Sequence, residues 1–178
     1  MSIRCRAFIA TSLDGFIARP GGEVDWLPTE SSDDYGYGEF FASVDALVMG
    51  RNTFELVLGF GAWPYGDKPV VVLTSRPESL TVPEESSVTA ATGPIPDLVK
   101  SLEADGYGDV YVDGGRTVQE FIKARELDAI TISRIPVLLG EGIALFGWTD
   151  GDVALRHEQT RAYPDGLVQS RYSFVYET

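Results

Sequence analysis

The chain has 178 residues and a formal net charge of −13 at pH 7, with 44% hydrophobic and 23% charged residues. This length predicts one domain over residues 1–178, and no window approaches the roughly 18 apolar residues of a membrane span. The negative charge argues against a nucleic-acid partner, because binding to a phosphate backbone requires a basic surface. Cys5 and His157 each stand alone, so no metal site is predicted. The apolar run near the N terminus is too short for a signal peptide, which predicts a cytoplasmic protein.

The predicted elements alternate between strands and helices along most of the chain. Apolar runs and period-two patterns predict strands at residues 3–10, 45–50, 69–75, 88–91, 109–113, 127–135, 153–160 and 167–176. Helical spacing of apolar residues predicts helices at residues 32–43, 52–58, 96–104 and 117–124. Long loops are expected at residues 11–28 and 136–150.

This order of elements predicts an α/β fold. Strands that alternate with helices form a mostly parallel sheet with helices on both faces. The last two strands follow each other without a helix, which indicates an antiparallel edge. The edge strand at residues 167–176 is apolar, and an unpaired edge must be covered or blunted, so this strand is a candidate contact for a homodimer.

Three predicted strands end in segments that join a glycine or a hydroxyl residue to an arginine. These segments are Gly50-Arg51-Asn52-Thr53, Thr74-Ser75-Arg76 and Gly114-Gly115-Arg116-Thr117. Ligands of open α/β sheets gather at the carboxyl ends of the strands, and arginine binds phosphate in a bidentate manner. The segments together predict an anion site, although each one alone is also an ordinary turn beside a surface arginine. The GxGxxG fingerprint and the Walker loop are both absent, so neither standard phosphate site is predicted.

Six segments carry a resemblance to a known family. They are SLDGFIA (residues 12–18), DW (25–26), VMGRNTFE (48–55), LTSR (73–76), VDGG (112–115) and PVLLGEGIALF (136–146). In this order they resemble the dihydrofolate reductase family. The similarity is greatest to the reductase domain of the bacterial bifunctional riboflavin-biosynthesis deaminase-reductase and to its stand-alone relatives. The resemblance implies a three-layer αβα fold with a mixed central sheet, and NADPH as cofactor.

The resemblance also implies roles for individual residues. The segment that matches the site of the pyrophosphate and adenosine phosphate contains Gly50, Arg51 and Thr53. The segment that matches the family's binding site for the 2′-phosphate contains Thr74, Ser75 and Arg76. A site for this phosphate favours NADPH over NADH. The loop whose helix N-terminus faces the pyrophosphate matches Gly114, Gly115, Arg116, Thr117 and Val118. Positions beside the nicotinamide match Ala10 and Ile17, and positions near the substrate match Trp26 and Ser133.

The resemblance places the catalytic carboxylate at Asp34, counted back without gaps from the VMGR segment. A small shift in that count selects Asp33 or Glu30 instead. A carboxyl group there would protonate the substrate nitrogen, directly or through water, as the hydride arrives. The alternative is structural, because acidic residues at the start of a helix also stabilise its N-terminus.

The function implied is that of an NADPH-dependent reductase of a small heterocyclic substrate, with reduction of 5-amino-6-(5-phosphoribosylamino)uracil as the family's example. A second hypothesis is dihydrofolate reduction. It is disfavoured because Asp67-Lys68-Pro69 stands where folate enzymes carry an arginine for the folate carboxylate. The third is a non-catalytic nucleotide-binding or ligand-binding protein of the same fold. The His-x-Glu and Pro-Cys-x-x-Cys signature of the zinc deaminases is missing, so deamination of that type is not expected.

Overall fold

A mixed sheet flanked by helices dominates the computed structural model, which describes residues 2–177. The strands are β1 (Arg4–Ser12), β2 (Phe16–Ala18), β3 (Ala46–Gly50), β4 (Val70–Leu73), β5 (Val88–Ala91), β6 (Asp109–Asp113), β7 (Ala129–Ile135), β8 (Ile143–Ala144), β9 (Ala154–Ala162) and β10 (Val168–Val175). The helices are α1 (Tyr37–Ala42), α2 (Arg51–Leu58), α3 (Ile95–Ala104) and α4 (Gly115–Lys123), and a short 3₁₀ helix covers Pro77–Ser79.

Eight strands form the main sheet in the order β5-β4-β3-β6-β1-β7-β10-β9. The first six are parallel to one another, and β10 runs antiparallel to both β7 and β9. The predicted α/β class and the antiparallel C-terminal strands are therefore confirmed. The expectation that residues 167–176 form the unpaired edge is wrong, because β10 pairs with β7 on one side and β9 on the other, and β9 is the edge strand. The parallel arrangement brings the ends of β3, β4 and β6 to one edge of the sheet, where the three arginine-marked segments begin.

Two apolar clusters, one on each face of the sheet, explain the three layers. One cluster joins α3 and α4 to the sheet through side chains such as Leu102 and Phe121. The other joins α1 and α2 through side chains such as Phe54 and Phe40, which pack with Tyr111. The central strands are apolar on both faces because both faces are covered. No helix within residues 2–177 has the length and apolar character that crossing a bilayer requires.

The helix predicted at residues 32–43 is shorter than expected, because α1 covers only Tyr37–Ala42. Residues 32–36 turn instead. Tyr35 and Gly36 have φ angles of 54° and 82°, in the left-handed region that an α-helix excludes. The Asp33 carboxylate accepts the Tyr35 N–H at 2.8 Å, and the Asp34 carboxylate accepts the Gly36 N–H at 2.9 Å. Such side-chain bonds compete with the helix, which explains the late start of α1.

The predicted loop at residues 11–28 also needs correction. Thr11 and Ser12 belong to β1, since β1 pairs with β7 as far as the Ser12–Ile135 pair. Two short strands inside the predicted loops, β2 and β8, pair with each other in a separate two-stranded sheet. Their pairing joins segments more than 120 residues apart, so no local pattern indicates it.

Candidate functional site

The three arginine-marked segments lie together in one groove, at the end of the sheet where the parallel strands have their carboxyl ends. The groove has a volume of about 930 Å³. Its lining residues come from the ends of β3, β4 and β5 and the starts of α2, α3 and α4, and they include Gly50, Arg51, Thr53, Thr74, Ser75, Arg76, Arg116 and Thr117. The structure therefore brings together most of the predicted cofactor-binding residues. Their contacts with a cofactor stay a prediction.

Close packing between two of the segments depends on Gly114. Gly114 has a φ angle of 93°, which side-chain-bearing residues rarely adopt, and a Cβ at this position would overlap the hydroxyl of Thr53. A Cβ at Gly50 would lie 3.0 Å from the hydroxyl of Thr117. The two glycines thus let the β3–α2 and β6–α4 junctions approach each other. The hydroxyls of Thr53 and Thr117 occupy the space that side chains at these glycines would take.

The start of α4 offers backbone donors to this groove. The Val118 N–H already donates to the Gly114 carbonyl at 2.9 Å, so the donors without a helical partner belong to the residues before it. An anion is stabilised at such a helix end by free N–H groups and by the helix dipole. The Val118 side chain is fully buried in the core, and the structure does not bring it to the groove surface.

The three arginines differ in how far the protein already uses them. The Arg51 guanidinium donates to Glu55 at 2.7 Å and to the Ser79 hydroxyl and carbonyl at 2.8 and 3.0 Å, so it connects α2 to the 3₁₀ helix. Arg76 and Arg116 are exposed, and neither side chain makes a hydrogen bond or ion pair within residues 2–177. The guanidinium groups that remain available to a ligand are therefore those of Arg76 and Arg116.

The predicted nicotinamide residues lie on the β1–β2 segment. Ile17 reaches the glycine loop, since a Cβ on Gly115 would lie 2.5 Å from its Cδ1 atom, and Ala10 is half-buried near the end of β1. Asp14 fixes this segment: its carboxylate accepts the Ser12 hydroxyl at 2.6 Å and the Leu139 and Gly140 N–H groups at 3.1 and 2.8 Å. These bonds hold the pKa of Asp14 below its usual range, the Ser12 hydroxyl contributing most.

The two predicted substrate residues, Trp26 and Ser133, are each connected to the surroundings of Tyr35. Ser133 is buried in β7, and its hydroxyl accepts a hydrogen bond from Gln169 at 2.9 Å. The same Gln169 amide donates to the Tyr35 carbonyl at 2.9 Å. Trp26 packs on the apolar cluster of Ile135 and its neighbours, and its buried indole N–H has no partner within residues 2–177. A buried donor without a partner is uncommon, so a ligand acceptor there would be stabilising.

Asp34 is exposed and is bonded to the backbone at the start of α1. Its carboxylate accepts the N–H groups of Gly36 and Gly38, each at 2.9 Å. These bonds, the Gly36 N–H first, hold the pKa of Asp34 below its usual value. In this environment the Asp34 carboxylate stays ionised and stabilises the start of α1. The catalytic role of Asp34 stays a prediction.

A second carboxyl group, Asp113, has the opposite environment. It is the last residue of β6, immediately before the glycine loop, and its side chain is only partly exposed. Burial raises the pKa of Asp113 to about 6, although the hydrogen bond from the Gly114 N–H at 2.8 Å and the nearby phenols of Tyr111 and Tyr65 oppose the rise. A carboxyl group that titrates near neutral pH is suited to exchanging protons.

Sequence reasoning gave Asp113 no role. The signal that could have drawn attention to it is an acidic residue at the end of an otherwise apolar strand. The tyrosines that surround it come from separate parts of the chain: Tyr111 lies in β6, Tyr37 in α1 and Tyr65 in the loop before β4. Burial and then the Asp113 charge raise the pKa of Tyr37 to about 12, so this phenol stays protonated. The cluster thus holds one titrating carboxyl among phenols that keep their protons.

Comparisons with known proteins agree on a family. The family model described as RibD C-terminal domain matches residues 5–169. The uncharacterized protein YwjB of Bacillus subtilis (strain 168) is 34% identical over 168 residues, which cover 93% of this chain and 94% of YwjB. A crystal structure of a riboflavin biosynthesis protein from Shewanella sp. PV-4 has 38% identity and a TM-score of 0.89, covering 98% of this chain and 100% of that one.

More distant structures share the fold. The Thermotoga maritima protein named a diaminohydroxyphosphoribosylaminopyrimidine deaminase/5-amino-6-(5-phosphoribosylamino)uracil reductase has 15% identity and a TM-score of 0.76. The match covers 98% of this chain and 57% of that protein. Dihydrofolate reductase from Enterococcus faecalis, complexed with NADP(H), has 22% identity and a TM-score of 0.67, with 96% of each chain covered. The predicted dihydrofolate reductase-like fold is confirmed.

Proposed function

Because this chain belongs to the RibD C-terminal domain family, we propose that it is an NADPH-dependent reductase of a small heterocyclic substrate. The observation that carries the proposal is the groove where the parallel strands end, which combines glycines, helix N-termini and two arginines, Arg76 and Arg116, whose side chains have no partner within residues 2–177. These are the groups that bind the phosphates of a dinucleotide. Their concentration in one groove contrasts with the acidic character of the chain as a whole.

The residues of the groove fit NADPH in chemical terms. Free N–H groups at the start of α4 suit the pyrophosphate, and Gly50 lines the groove without a side chain that would keep a ligand from the backbone. Arg76 suits the 2′-phosphate, which only NADPH carries, because its guanidinium is exposed and unpaired within residues 2–177. Thr74 and Ser75 supply hydroxyl donors beside it. Arg51 contributes indirectly, since it holds the 3₁₀ helix that follows Arg76.

Asp113 supplies the proton in this proposal. Bound NADPH supplies a hydride to a C=N or C=O carbon of the substrate. The nitrogen or oxygen of that bond then needs a proton, and Asp113 carries one in a useful fraction of molecules near neutral pH. The unpaired indole N–H of Trp26 and the hydroxyl of Ser133 are available to orient polar atoms of the substrate. Asp34 remains an alternative proton source that a variant can test.

The proposed substrate is 5-amino-6-(5-phosphoribosylamino)uracil, the compound in the name of the Thermotoga maritima relative. A specific observation weakens the folate alternative. Lys68 stands in the region where folate enzymes place an arginine, but its ammonium donates to the carbonyls of Phe41, at 2.9 Å, and Val44. It also lies 4.6 Å from the centre of the Phe41 ring. The Lys68 ammonium therefore binds the carbonyls at the end of α1 and is not available to a ligand.

The first experiment measures cofactor binding by fluorescence titration of the wild type, Arg76→Gln and the control Arg156→Gln. Arg156 is exposed on β9, outside the groove. Loss of a charge-assisted bond to the 2′-phosphate should weaken NADPH binding by about 10- to 100-fold and leave NADH binding nearly unchanged. Equal losses for both cofactors would contradict the assignment of Arg76.

The second experiment measures NADPH oxidation with the ribosylamino-pyrimidine and, separately, with dihydrofolate. Turnover of the first compound alone supports the proposal, whereas turnover of dihydrofolate alone identifies a folate reductase. Tight NADPH binding without turnover of either identifies a ligand-binding protein. Asp113→Asn should lower turnover while NADPH affinity stays unchanged, and wild-type turnover should fall as the pH rises above about 6.

A further inference from the structure

A second cavity lies on the face of the sheet that carries α1 and α2, and it shares no lining residue with the cofactor groove. One wall is α1 with the turn before it, and the floor is formed by β1, β7, β10 and β9. The volume is about 390 Å³, which is within the range of small-molecule sites. We call it the α1 cavity.

Three of the chain's eleven arginines line the α1 cavity: Arg6 from β1, Arg161 from β9 and Arg171 from β10. Arg161 lies opposite Gln169 in the sheet, and Arg171 lies opposite Gln159, so the two arginines are diagonal neighbours. Neither forms an ion pair with a carboxylate within residues 2–177. Like charges in such positions repel each other, and an anion between them removes that repulsion.

Arg6 provides an independent observation. Its Nη2 atom donates to the Ser43 hydroxyl at 3.0 Å and lies 2.9 Å from the Asp109 carboxylate. Its Nε atom is buried without a hydrogen-bond partner within the described chain. A buried guanidinium donor without an acceptor is unfavourable, and an oxygen atom of a ligand would satisfy it.

Aromatic rings hold two of these guanidinium groups in place. Arg6 lies 5.3 Å from the centre of the Phe40 ring, and Arg161 lies 4.7 Å from the centre of the Tyr163 ring. Stacking on a ring restricts a guanidinium before the ligand arrives, which lowers the entropy lost on binding. Glu39 is the acidic residue among the lining residues, so the cavity is basic in a chain of net charge −13.

From these observations we propose that the α1 cavity binds a small molecule that carries at least two oxyanion groups, either phosphates or carboxylates. Arginine recognises both kinds of group through paired N–H donors. The site differs from the cofactor groove in position and in lining residues, but it borders a predicted substrate residue, since the lining residue Gln169 donates to the Ser133 hydroxyl at 2.9 Å. Its test measures binding alone, so the result does not depend on the proposed reductase activity. It gives the protein a second ligand, with α1 as the element that contacts it.

The test is a titration of ¹⁵N-labelled protein with inorganic pyrophosphate and, in parallel, with citrate, followed by amide chemical shifts. Binding in the α1 cavity should shift the amides of Gly36, Thr131 and Arg171. Binding in the cofactor groove should shift those of Gly115 and Arg116, so the two sites are read separately in one spectrum. The response to the two probes distinguishes a phosphate site from a carboxylate site.

Two double variants complete the test. Arg161→Gln with Arg171→Gln should weaken binding in the α1 cavity by tenfold or more and leave the shifts at Gly115 unchanged. Arg134→Gln with Arg156→Gln removes the same charge from exposed positions outside the cavity and should have little effect. Equal losses in both variants, or no shifts at Gly36 and Thr131 with millimolar probe, would overturn the proposal. Formation of a dimer that depends on Arg161 and Arg171 would assign the cavity to a second copy instead.

Discussion

Replacing Asp113 with asparagine should change how the stability of the fold depends on pH. The carboxyl has a pKa of about 6 in the folded protein, against an ordinary value of 3.8. Ionisation is therefore harder in the folded state than in the unfolded state. The contribution of Asp113 to wild-type stability should fall as the pH rises from about 4 to about 6 and then remain level, because below pH 4 the group is protonated in both states. Each pH unit between the two values corresponds to about 1.4 kcal/mol, so the loss approaches about 3 kcal/mol.

The measurement is urea unfolding at several pH values between 4 and 8, for the wild type, Asp113→Asn and Asp152→Asn. Asparagine does not titrate but keeps an oxygen that accepts the Gly114 N–H, so the first variant should lose the pH-dependent penalty. Its stability relative to the wild type should rise by up to about 3 kcal/mol between pH 4 and pH 7. Asp152, in an exposed loop, controls for the loss of one negative charge. A constant difference across the pH range would refute the assignment of a raised pKa to Asp113.

Three further predictions concern a glycine, a thiol and a carboxylate. Gly114→Ala should lower the free energy of unfolding by about 2 kcal/mol or more and weaken NADPH binding, because Gly114 has a positive φ and lies against Thr53. The control Gly151→Ala should lose less unfolding free energy, because Gly151 has a positive φ but open space around it. Cys5 is buried, and desolvation is the main reason that its pKa is raised to about 12. Its reaction with iodoacetamide at pH 8 should therefore require unfolding, and rapid reaction of the folded protein would contradict this prediction. Asp34→Asn should lower stability at neutral pH more than at pH 3, because the lowered pKa of Asp34 stabilises the fold only while the group is ionised. A tenfold loss of turnover in that variant, with the fold and the NADPH affinity unchanged, would assign Asp34 a role in the reaction.

The sequence was sufficient for the layers of the fold and for the location of the groove. The apolar runs that end at Gly50 and Asp113 are buried strands, and parallel order requires that their ends share an edge. The start of α1 could not be obtained in the same way. Ser32, Asp33 and Asp34 suit a helix start and a turn equally well, and the side-chain bonds to Tyr35 and Gly36 decide between them.

The raised pKa of Asp113 could not be predicted from the sequence for a different reason. The pKa of Asp113 depends on its burial beside Tyr37 and Tyr65, which are distant in sequence and adjacent only in the fold. The α1 cavity likewise depends on the pairing of β9 with β10, which places Arg161 near Arg171. Residues 167–176 are not an unpaired edge, so the argument for a dimer contact through them fails. Homodimer formation itself and the cytoplasmic location stay predictions.

The bonds made by Asp14 link two loops that are far apart in sequence. One carboxylate connects the β1–β2 turn to the backbone of Leu139 and Gly140, and the Leu145 N–H donates to the Gly15 carbonyl at 3.0 Å. The β1–β2 segment that carries Ile17 is therefore expected to shift only together with the segment at residues 137–145. Insertions or deletions in that distant loop should consequently alter the predicted nicotinamide position, and the two loops are expected to change length together among related proteins.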